Sequence, residues 1–220
     1  MNAAMPQTNF SHRAGSLAGL RRLAQPRVLP EDCDFCGSAL LPMHRHLLEV
    51  ANRKIICACD PCALRFQDVV GGRFKLIPRD ARTLPEFQMS DAQWESLALP
   101  INLAFFFYNS GTEKVTAMYP SPAGAMESLL PLNSWGELTK ENPALREMQS
   151  DVEALLVNRV GAAREYFVAP IDACYQLVGS VRMHWRGLSG GEAVWREIEH
   201  FFAGLRRLQP ARATQEVAHA

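Results

Sequence analysis

The sequence predicts an α+β fold, with a small cysteine-rich module followed by an antiparallel sheet packed with helices. Three observations predict it. Five of the six cysteines, Cys33, Cys36, Cys57, Cys59 and Cys62, fall within thirty residues. Residues 101–119 alternate as two strands around a short loop, Asn109-Ser110-Gly111-Thr112. Residues 171–186 and 190–208 carry apolar side chains at helical spacing.

The bulk numbers fit this division. A chain of 220 residues with 48% hydrophobic and 21% charged residues can bury an ordinary core. Its 23 basic and 23 acidic side chains balance, so no global charge points to nucleic acid or to an acidic membrane. The longest apolar stretch, Leu97–Tyr108, is interrupted by Pro100 and Asn102 and is too short to span a bilayer, so no membrane span is expected. After Arg21-Arg22 comes Leu23-Ala24-Gln25-Pro26-Arg27, where an export signal would need an apolar run. A cytoplasmic location is the expectation, and clustered thiols in a reducing compartment are metal ligands before they are disulfides.

Residues 1–29 are expected to form a flexible basic segment in which Leu17, Leu20 and Leu23 would mark one short helix. Residues 30–70 form the module. Cys33-Asp34-Phe35-Cys36-Gly37 has the form of a metal knuckle, with Gly37 free to take a positive φ. Strands are expected over 46–50 and 54–57, and a helix from Asp60-Pro61 through Val69 and Val70, with Pro61 tolerated in its first turn. Knuckle, hairpin and helix in that order make a treble-clef-like module, which is too small to bury enough apolar surface by itself, so a metal must supply much of its stability.

Residues 71–208 are expected to form the α+β domain, and residues 209–220 a disordered polar tail. Strands are expected over 74–77, 101–108, 114–119 and 165–169. Phe106, on the second face of its strand, marks a central position covered on both sides. Helices are expected after Ser121-Pro122 and at three capping-box patterns, Ser134-x-x-Glu137, Ser150-x-x-Glu153 and Ser189-x-x-Glu192. Cys174 falls on the core face of the helix over 171–186 and reads as a small buried hydrophobe.

The pairs Cys33-x-x-Cys36 and Cys59-x-x-Cys62, twenty-two residues apart, have the spacing of a four-thiolate zinc site. Four thiolates close the coordination sphere, which favours a structural over a catalytic role. Cys57 stands two residues before Cys59, and His44 and His46 share a strand face. Cys57 with a histidine is therefore either a replacement for one thiolate or part of a second site; otherwise the histidines are hydrogen-bonded strand residues. Iron in the same thiolates, as in a rubredoxin-like electron carrier, is the rival cofactor, but only Cys36-Gly37 carries the glycine of that knuckle. A treble-clef nucleic-acid binder or nuclease of the His-Asn-His type is a further alternative. Against it, Arg45 and Met43 precede the histidines where an acidic residue is usual, and no basic patch interleaves with aromatics.

Arg182 and Arg186, with Ser189, Gly190 and Gly191 at the next helix start, form a candidate anion or partner contact; the structural alternative is a helix stop at Gly187 followed by a new cap. No carboxylate pair and no Ser/His/Asp set marks catalysis, so a non-enzymatic role is expected.

Cys33-Asp-Phe-Cys-Gly, His44-Arg-His-Leu-Leu-Glu, Cys57-Ala-Cys-Asp-Pro-Cys, Tyr119-Pro-Ser-Pro-Ala-Gly, Asp151-Val-Glu-Ala-Leu-Leu, Pro170-Ile-Asp-Ala-Cys-Tyr and Trp185-Arg-Gly-Leu-Ser-Gly-Gly together resemble an uncharacterised bacterial family. Its genes lie beside high-affinity, actinobacterial-type nickel–iron uptake hydrogenases. The resemblance covers residues 17–208. It implies association with a hydrogenase subunit or maturation factor, and carries over no activity and no catalytic residue.

Overall fold

The chain turns first around its cysteine knuckle. Cys33 N–H donates to the Ser38 carbonyl and Gly37 N–H to the Cys33 carbonyl, both at 2.8 Å, with Gly37 at φ +71°. This computed structural model describes residues 31–67, 72–128, 135–187 and 189–207, all within one compact unit that begins at Glu31. The helix expected around Leu17–Leu23 and the tail expected over 209–220 lie outside the described residues.

Strands β1 (Arg45–Glu49) and β2 (Lys54–Ala58) pair antiparallel, with Arg53 at φ +58° in the turn between them. Helix α1 (Asp60–Phe66) follows with Pro61 in its first turn. Strand β3 (Phe74–Leu76) then pairs with the free side of β1, giving the order β2-β1-β3. The small sheet thus draws its third strand from beyond Gly71-Gly72.

Period two gives this sheet two different faces. Leu47 and its partner Ile56 pack into a small core with Cys33, Ala58, Ala63 and Phe74, where Phe35 stacks on Phe66 at 4.2 Å. Leu48 and its partner Ile55 point the other way, into the main core.

The main sheet has six antiparallel strands in the order β4-β9-β8-β5-β6-β7. These are β4 (Arg82–Thr83), β5 (Leu103–Asn109), β6 (Lys114–Ser121), β7 (Gly124–Glu127), β8 (Glu153–Asn158) and β9 (Glu165–Pro170). One face carries Phe105, Phe107, Leu156 and Phe167 against α4 (Ile171–His184) and α5 (Gly191–Arg207). On the other face, Phe106, Ala104, Leu155 and Val157 pack under α2 (Asp91–Ser96), α3 (Trp135–Glu141) and the 3-10 turn Pro143–Glu147. Phe106 is fully buried, as a central strand requires.

Two expected helices are strands. The segment after Ser121-Pro122 is β7: the four residues 121–124 make the turn of the β6–β7 hairpin, with Gly124 at φ +121° and the Ser121 hydroxyl donating to its carbonyl at 2.9 Å. The segment at Ser150-x-x-Glu153 is a turn leading into β8, whose six residues are all buried between β5 and β9. Burial on both faces overrides the helical preference of Glu-Ala-Leu-Leu there. The helix expected at Ser134 is present from Trp135, although Ser134 itself lies outside the described residues. Helix α2 was not anticipated, yet it carries a complete capping box: Gln93 N–H donates to Ser90 Oγ at 3.1 Å and Ser90 N–H to Gln93 Oε1 at 2.8 Å.

Asp151 joins the two sheets. Its carboxylate, fully buried, accepts from Lys75 Nζ of β3 at 2.6 Å and from the Ser110 hydroxyl and amide at 2.6 and 2.9 Å. Arg53 approaches it at 3.5 Å while covering the Phe107 ring at 4.1 Å. Burial pushes the Asp151 carboxyl upward, but the Lys75 and Ser110 hydrogen bonds outweigh it and hold the group below the usual carboxylate range.

Candidate metal centre

Three local structures aim four sulfurs at one point. The knuckle turn presents Cys33 and Cys36, the residue before α1 presents Cys59, and the first turn of α1 presents Cys62. All four Sγ atoms lie within 4.8 Å of one another. Cys36 and Cys59 stand 3.7 Å apart. The edge of a tetrahedron with zinc–sulfur bonds of about 2.3 Å is about 3.8 Å, so the spacing fits a tetrahedral ion. It is far beyond a sulfur–sulfur bond, and all four are free cysteines.

The surroundings favour thiolate at the knuckle end. Burial raises the Cys33 thiol, but N–H groups led by that of Cys59, whose amide stands 3.4 Å from the sulfur, bring it below its ordinary value. Cys36 Sγ and the Ser38 hydroxyl oxygen are hydrogen-bonded at 3.2 Å, and hydrogen bonding with Ser38 leads the causes that lower Cys36 to about 6. Cys62 moves the opposite way, pushed up to about 12 by Cys59 beside it and then by burial. Four sulfurs this close cannot all carry charge in one another's company unless a cation neutralises them. The donor set fits a metal ion.

Cys57 does not join this group. Its sulfur lies within 4.8 Å of ring nitrogens of His44 and His46 instead. His46 and Cys57 are direct partners in the β1–β2 register, which puts both on the face turned toward the main domain. The Cys57 backbone is pinned to the knuckle by Asp34: Cys57 N–H donates to Asp34 Oδ2 at 2.7 Å, and Asp34 N–H to the Cys57 carbonyl at 2.9 Å. Burial raises the Cys57 thiol.

Arg182, Arg186, Ser189, Gly190 and Gly191 surround the α4–α5 connection. Arg186 donates its guanidinium to the Met183 and Trp185 carbonyls and its amide to the Gly190 carbonyl at 2.9 Å. Gly190, at φ +87°, leaves no room for a side chain, since a Cβ would stand 2.8 Å from Val194. The arginines of a cleft of about 610 Å³ near β4 and β9 are likewise engaged, Arg159 with Asp91 and Arg206 with Glu165.

Residues 32–209 match a family described as a family of unknown function, DUF5947. The chain belongs to that family. No curated protein and no solved structure matches this DUF5947 chain. The match begins one residue before Cys33 and takes in both cysteine pairs, both histidines and the whole main sheet.

The sequence marked the sulfurs by their spacing but gave no sign of the residues that hold them in place. Ser38 and Asp34 are ordinary turn residues, recognisable only once the knuckle is seen. Asp172, whose Oδ2 stands 2.6 Å from His46 Nδ1, is 126 residues away along the chain.

Proposed function

We propose that the protein is a zinc-stapled accessory protein that acts through protein contacts rather than catalysis, with Cys33, Cys36, Cys59 and Cys62 as the zinc ligands of a treble-clef-like module. The observation that carries the reading is the closed set of four sulfurs within 4.8 Å, joined to a small apolar core of six buried residues. A closed thiolate tetrahedron leaves no position for substrate or activated water. Zinc adds no redox chemistry; when bound it supplies charge neutralisation and a fixed geometry. Hydrogen bonding around Cys33 and Cys36 lowers those two thiols toward the ionised form that such an ion needs, and the ion itself would bring Cys62 there. The resemblance to a family encoded beside nickel–iron uptake hydrogenases names the partner class, a hydrogenase subunit or maturation factor engaged during assembly.

Metal content per chain, with the visible spectrum of the freshly purified protein, tests the first half of this reading. Colourless protein with zinc that survives dialysis and disappears in Cys36→Ser supports it. Iron with thiolate-to-iron absorbance overturns it in favour of an electron carrier. Co-purification from cells that express a nickel–iron hydrogenase tests the second half, and recovery of the protein free of every hydrogenase component overturns it.

A further inference from the structure

His44, His46 and Cys57 lie apart from the four-thiolate set, and their geometry has a consequence of its own. His44 Nδ1 stands 2.9 Å from the Leu41 carbonyl oxygen, and His46 Nδ1 2.6 Å from the Asp172 carboxylate. Both partners only accept, so in each ring the proton sits on Nδ1. In the neutral rings both Nε2 atoms then present bare lone pairs, and these face each other at 3.1 Å. Two lone pairs at that distance repel unless a proton or a metal cation lies between them. Tetrahedral zinc with bonds of about 2.0–2.1 Å to nitrogen would separate its two nitrogens by about 3.3 Å, close to what is seen.

We propose that His44, His46 and Cys57 form a second metal site, distinct from the four-thiolate one, that binds a divalent first-row transition ion such as Zn²⁺ through two imidazole nitrogens and one thiolate and keeps a coordination position open. Three features of the fold support it. The β1–β2 register places His46 opposite Cys57, and period two brings His44, the residue before β1, to the same face. Asp172, in the first turn of α4, orients His46 through the nitrogen that does not bind the metal, the arrangement by which carboxylates fix metal-ligating histidines. Glu31 brings a carboxylate oxygen to 3.4 Å from His44 Nε2, an exposed oxygen at the rim of the open position. Two imidazoles and a thiolate suit borderline ions over Mg²⁺ or Ca²⁺. Binding converts the Cys57 thiol to thiolate and releases its proton to solvent.

The test is zinc stoichiometry and affinity on the full-length protein, measured by elemental analysis and by competition with a chromophoric chelator. Wild type should bind two ions per chain. Cys57→Ser and His46→Ala should each bind one, because both leave the four thiolates whole. Asp172→Asn should keep the second ion but bind it about 10- to 100-fold more weakly, the usual effect of losing a carboxylate that orients a metal-ligating histidine. Co²⁺ added to protein already holding one zinc should give a thiolate-to-cobalt band, and this band should vanish in Cys57→Ser. One ion per chain in wild type, unchanged by Cys57→Ser and His46→Ala, would overturn the second site while leaving the four-thiolate reading intact. A single ion lost equally from Cys57→Ser and Cys36→Ser would overturn it too, by showing one mixed ligand set. Wild-type cobalt spectra without a thiolate band would do the same independently of any variant.

Discussion

The two sheets of this protein solve the same problem by different means. The six-stranded sheet has both faces covered, and Phe105, Phe106, Phe107, Leu155 and Leu156 give it layers of close-packed apolar side chains. The three-stranded sheet has one small core, in which Cys33 counts among the buried residues and Phe35, Phe66 and Phe74 form a cluster of rings. Where apolar area is ample, packing holds the strands; where it is scarce, an ion on the four sulfurs would add what packing lacks. Lys75 and Arg53, on Asp151, tie the second kind of structure to the first.

This contrast can be broken most forcefully at the sulfurs. Cys59→Ser, or stripping the metal with a chelator, removes an interaction on the order of 10 kcal/mol in zinc-stapled modules. Protease should then cut between 31 and 67, while tryptophan fluorescence changes little, because Trp94, Trp135, Trp185 and Trp195 all lie beyond the small sheet. A coincident loss of both signals would show that the two sheets are one cooperative unit. The matching experiment on the large sheet is Phe106→Ala, expected to cost about 3–5 kcal/mol in chemical denaturation followed by the same tryptophans. Its metal content should stay at the wild-type value.

Asp151→Asn tests the tie. Removing one partner of a buried ion pair costs about 3 kcal/mol or more, since Lys75 loses its anion. The wild-type carboxyl has a folded pKa below its unfolded one, so its stabilisation is present above the unfolded value of about 3.9 and is lost as pH falls through the lower folded value. Denaturation midpoints of Asp151→Asn should therefore be lower at neutral pH and converge on wild type in acid. A constant difference at every pH would remove the carboxylate charge from the account. The smallest effect belongs to Ser90→Ala, which removes one half of a capping box for about 1 kcal/mol and should leave metal binding untouched.

The sequence announced some of these features and concealed others for identifiable reasons. Strands β1, β2 and β6 and helices α4 and α5 were readable from their periods, whereas β5 and β9, buried on both faces, were marked by the loop at Asn109 and by Pro170 at their ends. Strand β8 was not: Glu153-Ala-Leu-Leu-Val-Asn has no polar face at all in the folded chain, and local preference then reads as helix. Strand β7 was hidden by Pro122, which suits a helix start and a turn equally well, and the pairing with β6 decided for the turn. The two cysteine pairs are brought together as their spacing suggests. Which group Cys57 joins was not legible, because strand period alone gives Cys57 and Cys59 the same direction. The exit from β2 into the extended residue before α1 separates them, and the partner strand then supplies the histidines.

Strand β1 carries Leu47 and Leu48 side by side, both fully buried, one in each core. A cut that separates the cysteine segment from the main sheet would therefore open both cores. A fragment ending before Arg73 would strip β1 of its β3 neighbour and uncover Leu48 and Ile55 together, a flat apolar edge of the kind that draws strands of other copies. What looks in one dimension like a detachable finger is, in three, the inner wall of the larger room.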